Sequence, residues 1–164
     1  MEYTLREMTA RDKPQLMALL KATPEFIPAE ILVADEVIDT YLDSPGRDFQ
    51  ILVAEISSRI VGYVCFGLTP LTLTTWDIYW MAVALDKRGI GIGAALLKSA
   101  EDEIQKAGGR LALIETSSQP NYLNTRRFYL KKGYKRVSRV RDFYATGDHL
   151  LIYEKRFQPA LDSR

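Results

Sequence analysis

The spacing of hydrophobic residues changes along the chain, and each change marks a predicted element. Alternating or continuous apolar runs predict strands, and apolar residues three and four apart predict helices. The predicted strands are Thr4–Met8, Phe49–Ile56, Arg59–Leu68, Thr74–Ala84, Leu111–Glu115, Tyr134–Phe143 and Leu150–Phe157. The predicted helices follow a cap at Thr9 and Asp12, lie between Pro28 and Leu42, begin at about Gly91, and run from Pro120 to Lys132.

The third helix has the clearest amphipathic pattern. Its apolar residues recur at helical spacing, at Gly93, Leu96, Leu97, Ala100, Ile104 and Ala107. Its charged residues fall elsewhere on the helical wheel, at Lys98, Glu101, Asp102 and Lys106. Gly108-Gly109 predicts the end of this helix, and Gly133 predicts the end of the next one.

The order of the elements predicts the fold class. Ser57-Ser58 joins two strands closely enough for an antiparallel hairpin, and Ala145–Asp148 separates the strands of a closing hairpin. After the hairpin at Ser57-Ser58 the predicted order is strand, helix, strand, helix, and the closing hairpin follows. We therefore predict a mostly antiparallel sheet covered by helices. No linker or repeat divides the chain, so we predict a single domain over residues 1–164, with its core at about 3–157.

Composition narrows the function classes. The chain has 164 residues, of which 47% are hydrophobic and 26% charged, and its formal net charge is +1. Such a balance lacks the basic excess of a nucleic-acid-binding protein. No signal peptide or membrane-spanning run is evident, and the single cysteine, Cys65, lies in an apolar strand. We expect a soluble cytoplasmic protein that binds neither nucleic acid nor membrane. No Cys, His and carboxylate cluster has metal-ligand spacing, so no metal is predicted.

The stretch Lys87-Arg88-Gly89-Ile90-Gly91-Ile92-Gly93 predicts an anion site. It joins a strand to a helix, and the first turn of a helix presents unpaired N–H groups and the positive end of the helix dipole. Glycines let a phosphate approach the backbone, and two cations precede them. A P-loop is excluded because Ala94-Ala95 follows the last glycine. A dinucleotide-binding turn stays open, since Gly89, Gly91 and Ala94 fit its relaxed pattern and Glu115 lies about twenty residues beyond.

Two motifs resemble those of the GCN5-related N-acetyltransferases, or GNAT family. The coenzyme A loop of that family is matched by Arg88-x-x-Gly91-x-Gly93, between Trp80–Val83 and the helix that holds Leu96-Leu97. A second signature is matched by Phe128-Tyr129 followed by Gly133-Tyr134. The resemblance implies an α/β fold of the α+β type, with a central sheet of about seven strands that splays between strands four and five and is flanked by helices.

The resemblance also implies acetyl-CoA as cosubstrate. Its pyrophosphate would bind the turn and helix start at Arg88, Gly89, Ile90, Gly91, Ile92, Gly93 and Ala94, and its pantetheine would pair with the backbone of Met81, Ala82 and Val83. Many family members carry an asparagine where this chain has Tyr122. The neighbouring Asn124 is therefore a further candidate for cofactor binding.

The implied reaction is direct transfer of the acetyl group to a primary amine in a ternary complex. Such a transfer needs a neutral amine and a protonated leaving thiolate. The family motif assigns the second role to Tyr129. Asp77 and Glu115 are both candidates for the base, and neither is preferred. Tyr79 shares a predicted strand face with Asp77, and Tyr79 and Tyr144 are the candidate acceptor-binding residues. His149 is expected to be exposed and not catalytic.

Several questions stay open in the sequence. The acceptor could be a small molecule or a peptide amine, and the edge of the closing hairpin permits a homodimer. A non-catalytic acyl-CoA-binding module is the alternative function, and a dinucleotide-binding protein is a weaker one.

Overall fold

The computed structural model describes residues 2–159, which form seven strands and four α-helices. The strands are β1 (Thr4–Glu7), β2 (Gln50–Ile56), β3 (Arg59–Leu68), β4 (Thr75–Val83), β5 (Leu111–Ser117), β6 (Lys135–Ala145) and β7 (Asp148–Arg156). The helices are α1 (Lys13–Lys21), α2 (Pro28–Asp43), α3 (Ile92–Lys106) and α4 (Leu123–Lys131).

The strands form one sheet in the order β1-β2-β3-β4-β5-β7-β6. β2 pairs antiparallel with β1 and β3, and β7 pairs antiparallel with β5 and β6. β4 and β5 pair in parallel over three residue pairs, from Thr75–Leu111 to Asp77–Leu113, where the ladder ends. The predicted fold class is confirmed, including the splay after strand four.

The contacts between Cα atoms group the chain into two compact units. The first runs through Gly67 and includes Ile78–Ala100, and the second consists of Leu68–Asp77 and the chain from Glu101 onward. β4 and α3 each contribute to both units.

The first unit is organised by apolar faces and local caps. Its fully buried side chains include Leu16, Leu20, Ile38, Ile51, Val53, Tyr63, Phe66, Ile92, Leu96 and Leu97. The Thr9 N–H donates to the Asp12 carboxylate at 2.8 Å, in a capping box around the 3₁₀ turn Ala10–Asp12 that precedes α1. Ser57 and Ser58 have φ of 47° and 64°, the paired positive values of a type I′ hairpin turn. Cys65 is buried as predicted, and this burial raises the pKa of its thiol.

The second unit is built on β5 and the closing hairpin. Its buried residues include Ile104, Ala112, Ile114, Tyr129, Tyr134, Leu150, Leu151 and Tyr153. Gly108 and Gly133 end α3 and α4 with φ of 83° and 91°, as the sequence predicts. These left-handed residues turn the chain from each helix into the following strand.

Some predicted boundaries are wrong by a few residues. The fourth helix does not begin at Pro120, because Pro120–Tyr122 forms a separate 3₁₀ turn before α4. β5 extends two residues beyond Glu115 to Ser117. The closing hairpin is tighter than predicted, since its strands extend to Ala145 and from Asp148 and leave a two-residue turn.

Within residues 2–159, none of the helices combines the length and the apolar character that a bilayer crossing needs.

Candidate active site

The glycine turn of the first unit connects β4 to α3. β4 ends at Val83, a 3₁₀ turn covers Leu85–Lys87, and the glycines follow. Gly89 and Gly91 have φ of 80° and 91°. A Cβ built at either glycine meets no protein atom within 4 Å. Glycine is therefore required here by the backbone conformation, and the backbone at both positions faces space that a ligand can approach.

The first turn of α3 offers backbone donors at this glycine turn. The helical ladder begins with the Ala95 N–H, which donates to the Gly91 carbonyl at 3.0 Å. The amides of Ile92, Gly93 and Ala94 precede that bond and donate nothing to the ladder. No acidic side chain lies in the first turn of the helix. This arrangement suits an anion, because the amides and the helix dipole both present positive charge.

The side chain of Arg88 is held by two protein groups. Its terminal nitrogens donate to the Glu25 carboxylate at 3.0 and 3.2 Å, and its Nε donates to the Val83 carbonyl at 3.2 Å. Glu25 lies in the segment between α1 and α2. The predicted cofactor-binding arginine is thus at the turn, with its guanidinium engaged by a carboxylate 63 residues away in sequence.

The residues before the turn lie on a strand whose burial alternates. On β4, Trp76, Ile78 and Ala82 are buried, whereas Tyr79 and Met81 are half-buried. The Tyr79 ring packs edge-on against Phe49, with centroids 5.5 Å apart.

The two candidate bases are placed near each other in the second unit. Asp77 lies opposite Leu113 in the β4–β5 ladder, and Glu115 follows two residues later on the same face. Thr69 Oγ1 donates to Asp77 Oδ2 at 2.6 Å. Partial burial of the Glu115 carboxylate, and then the negative charge of Asp77, raise the pKa of Glu115. The Glu115 side chain is nevertheless exposed, so it can exchange protons with solvent.

Tyr129 lies on α4 with its ring enclosed by other aromatic rings. It is 6% exposed, and it packs edge-on against Phe128 and Tyr134 at centroid distances of 5.5 and 5.9 Å. Burial raises the pKa of Tyr129 to about 12. The phenol is therefore protonated throughout the physiological range and keeps an O–H that can donate a hydrogen bond or a proton.

A polar cluster lies beside Tyr129 and consists of the buried residues Glu101 and Tyr134 and the half-buried Lys155. Tyr134 Oη donates to Glu101 Oε2 at 2.9 Å, and Lys155 Nζ donates to Glu101 Oε1 at 3.1 Å. Lys155 also donates to the carbonyl of Lys132 at 2.9 Å, at the C-terminus of α4. The placement of Glu101 on a polar helix face is corrected, because the residue is only 8% exposed. The Glu101 carboxylate can be buried because Lys155 balances its charge and because Tyr134 and Lys155 donate hydrogen bonds to its oxygens.

The closing hairpin holds two further sequence candidates. Tyr144 is 48% exposed and packs against Phe143 at 4.9 Å between ring centroids. His149 is not exposed as expected, because 17% of its side chain is accessible and its Nδ1 accepts a hydrogen bond from the Asp142 N–H at 2.9 Å. Asp142 has a φ of 53° in an irregular stretch of β6, so His149 supports this bend. Asn124 is exposed in the first turn of α4.

Sequence reasoning did not identify the partners of the candidate residues. Glu25, Thr69 and Lys155 each contact a candidate residue or its supporting cluster from a distant part of the chain. The burial of Glu101 does have a signal in the sequence, since this residue lies four residues after Leu97 and three before Ile104, on the apolar stripe of the helix.

Comparisons with known proteins identify the family to which the chain is similar. A family model described as "Acetyltransferase (GNAT) domain" matches residues 47–136. A curated relative, an uncharacterized N-acetyltransferase of Methanocaldococcus jannaschii, is 32% identical over 104 residues, which cover 63% of this chain. The matched region spans 64% of that relative, slightly less than two thirds of its length.

Solved structures resemble nearly the whole chain. A crystal structure described as an acetyltransferase of the GNAT family from Desulfovibrio desulfuricans is 32% identical, with a TM-score of 0.91, and the match covers 94% of this chain and 99% of that one. An aminoglycoside 6'-N-acetyltransferase in complex with coenzyme A is 20% identical, with a TM-score of 0.76 and coverage of 97% and 99%. The second likeness concerns the fold alone.

The electrostatic coupling of the two carboxylates gives a prediction. Asp77→Asn removes a negative charge that favours the protonated form of Glu115, so the pKa of Glu115 should fall toward that of an ordinary glutamate. It should stay somewhat raised, because burial is the larger cause. Carboxyl-carbon NMR titration measures this shift.

The control for this titration is Asp148→Asn, which removes another carboxylate of the same unit that hydrogen-bonds Ser117 on β5. It should leave the Glu115 titration unchanged. An unchanged or raised Glu115 pKa in Asp77→Asn would contradict the coupling.

Proposed function

Because the chain belongs to the GNAT family of acetyltransferases, we propose that it transfers an acetyl group from acetyl-CoA to a primary amine by direct attack in a ternary complex. The main observation behind the proposal is the start of α3. Two glycines with positive φ are followed there by a first helical turn whose N–H groups lie before the first intrahelical hydrogen bond. Relatives of the same fold crystallised with coenzyme A support the choice of ligand. Bound acetyl-CoA supplies an activated thioester.

The amides of Ile92, Gly93 and Ala94 would hold the pyrophosphate. The fit rests on the open space at Gly89 and Gly91, where even a built Cβ meets nothing within 4 Å. Each phosphate oxygen accepts hydrogen bonds, and the helix dipole favours negative charge at this end. Ile90 and Ala94 contribute backbone only, since neither side chain carries a charge.

The backbone of Met81–Val83 would pair with the two amides of the pantetheine arm. These residues lie beyond Asp77, where the ladder from β4 to β5 ends. An amide-containing chain can add to such a strand as a further strand does. Asn124, exposed in the first turn of α4, stays a candidate for a polar contact to the same ligand.

Tyr129 would act as the general acid. When an amine nitrogen attacks the acetyl carbon, the carbon–sulfur bond breaks, and the departing sulfur needs a proton. Burial raises the pKa of Tyr129 to about 12, so the phenol keeps its proton at neutral pH, and Phe128 and Tyr134 hold its ring in place. Its phenol can therefore donate to the sulfur and regain a proton from solvent after the product leaves.

Glu115 would accept the proton that the amine loses. Its carboxylate is exposed and has a raised pKa, which makes it a stronger base than an ordinary glutamate. Asp77 raises that pKa by its charge and is itself held by Thr69. Tyr79 and Tyr144 stay separate candidates for contact with the acceptor, whose identity as a small molecule or a peptide is left to an amine screen.

The acid role of Tyr129 predicts a loss of turnover without a loss of binding. In Tyr129→Phe, kcat should fall about a hundredfold, as for removal of a general acid, while the Kd for acetyl-CoA changes by less than about threefold. Because the pKa is about 12, the loss should be equal near pH 7 and near pH 9. Steady-state kinetics and calorimetry give both quantities.

Tyr153→Phe is the matched control, because Tyr153 is also a buried tyrosine of the second unit, at 4% exposure. Its kcat should stay within about twofold of the parent protein. An unchanged rate in Tyr129→Phe would remove Tyr129 from the acid role and leave the cofactor site untested by that variant.

The backbone role of Gly91 predicts a binding defect that is specific to its position. Gly91→Ala forces an alanine into the left-handed region, at a cost of about 1–2 kcal/mol, and shifts the amides that follow. The Kd for coenzyme A should rise at least about tenfold by calorimetry.

Gly46→Ala provides the same strain elsewhere in the first unit, since Gly46 has a φ of 80° and nothing within 4 Å of a built Cβ. It should lose similar thermal stability and keep its affinity for coenzyme A. Equal losses of affinity in both variants would show that strain alone, and not the turn, determines binding.

A further inference from the structure

The pairing of Arg88 with Glu25 bears on how the turn binds an anion. The two terminal nitrogens of Arg88 meet the two carboxylate oxygens of Glu25 at 3.0 and 3.2 Å, a bidentate arrangement. The Glu25 side chain is 19% exposed and that of Arg88 is 40% exposed. The pair is thus partly shielded from water, so solvent screens it less than a fully exposed pair.

A guanidinium presents a limited set of donors in a fixed plane. Glu25 takes the edge formed by both terminal nitrogens, and the Val83 carbonyl takes Nε. A phosphate binds arginine through the same forked geometry as a carboxylate. Glu25 therefore occupies the forked edge of Arg88, and a phosphate can bind that edge in a bidentate way only by replacing Glu25.

The charge of Glu25 adds to this competition. Burial opposes ionisation of Glu25, but the hydrogen bond and the charge of Arg88 outweigh it, and the net pKa of the carboxyl is lowered. Glu25 is then an anion at neutral pH, held beside a turn that is suited to anions. An approaching phosphate meets a negative charge until that carboxylate moves away.

We propose that Glu25 is an intramolecular competitor of the cofactor pyrophosphate for Arg88, and that it sets the affinity of the turn for acyl-CoA. This inference rests on the proposed function. Binding exchanges one anion for another at Arg88 and releases Glu25. The segment that carries Glu25, residues 22–27 between α1 and α2, loses its ion pair to the turn when the cofactor arrives.

The first test measures coenzyme A affinity by calorimetry at low salt. Glu25→Gln removes the competing charge and should tighten coenzyme A about three- to tenfold. In an Arg88→Gln background the same change should have no effect, because there is no guanidinium to compete for. Unchanged or weaker binding by Glu25→Gln in the parent chain would overturn the proposal and leave Glu25 as a structural partner of Arg88.

Asp86→Asn is the matched control. Asp86 is a carboxylate of the same connection, but it is paired with Arg59 at 2.8 and 3.0 Å. This variant should bind coenzyme A within about twofold of the parent, and tightening equal to that of Glu25→Gln would show a general charge effect and overturn the exchange at Arg88. If the parent chain binds no coenzyme A at all, the proposed function fails instead, so the two failures are distinguishable.

The second test measures release of the Glu25 segment by amide hydrogen exchange of the full chain. The Phe26 N–H donates to the Thr23 carbonyl at 3.2 Å, so its exchange reports opening of this segment. Saturating coenzyme A should speed exchange across residues 22–27 in the parent protein. In Glu25→Gln the exchange should already be fast and should not respond. Slower or unchanged exchange in the parent on binding would contradict release of Glu25.

Discussion

The start of α3 is the constraint on which the rest of the proposed site depends. A strand ends at Val83, and a helix ladder begins only at the Ala95 amide, so a short turn must redirect the chain and leave helix donors facing outward. Positive φ at Gly89 and Gly91 makes that turn, and the absence of protein atoms near either built Cβ leaves the backbone accessible. In the proposed site, the affinity for an anion would come mainly from main-chain geometry. Arg88 and Glu25 would then adjust it.

In the second unit, hydrogen bonds and ring packing hold the buried phenol of Tyr129. The Tyr129 carbonyl accepts the Tyr134 N–H at 3.1 Å, and its ring packs against the Tyr134 ring. Tyr134 is in turn fixed by Glu101, and Lys155 joins Glu101 to the end of α4. A buried carboxylate of this kind costs solvation energy, which apolar packing would avoid. Its hydrogen bonds give directional constraint that apolar packing lacks.

Much of the fold could be predicted because its signals are local. Ser57-Ser58, Gly108 and Gly133 mark turns through the backbone conformations that they adopt or permit, and the structure places a turn at each. The glycine turn and Tyr129 could be proposed because each lies in a short motif. These predictions need only residues that are neighbours in sequence.

What the sequence could not provide is the set of distant partners. Glu25 lies 63 residues from Arg88, and Lys155 lies 54 residues from Glu101, so no spacing rule connects them. The sequence also predicts an exposed His149, because the strand pattern does not indicate the irregular stretch of β6 on which the contact of His149 with the Asp142 amide depends. The charge of Glu101 predicts a place on the polar face of the helix, although its position fits the apolar stripe.

Release of free thiol from acetyl-CoA, measured over a panel of primary amines with mass spectrometry of the products, tests the central claim most directly. The panel should include peptide N-termini, lysine side chains, polyamines, amino acids and aminoglycosides. We expect at least one amine to give thiol release with one acetyl group gained per thiol. Binding of acetyl-CoA without thiol release from any amine would contradict acetyl transfer and favour a non-catalytic acyl-CoA-binding module.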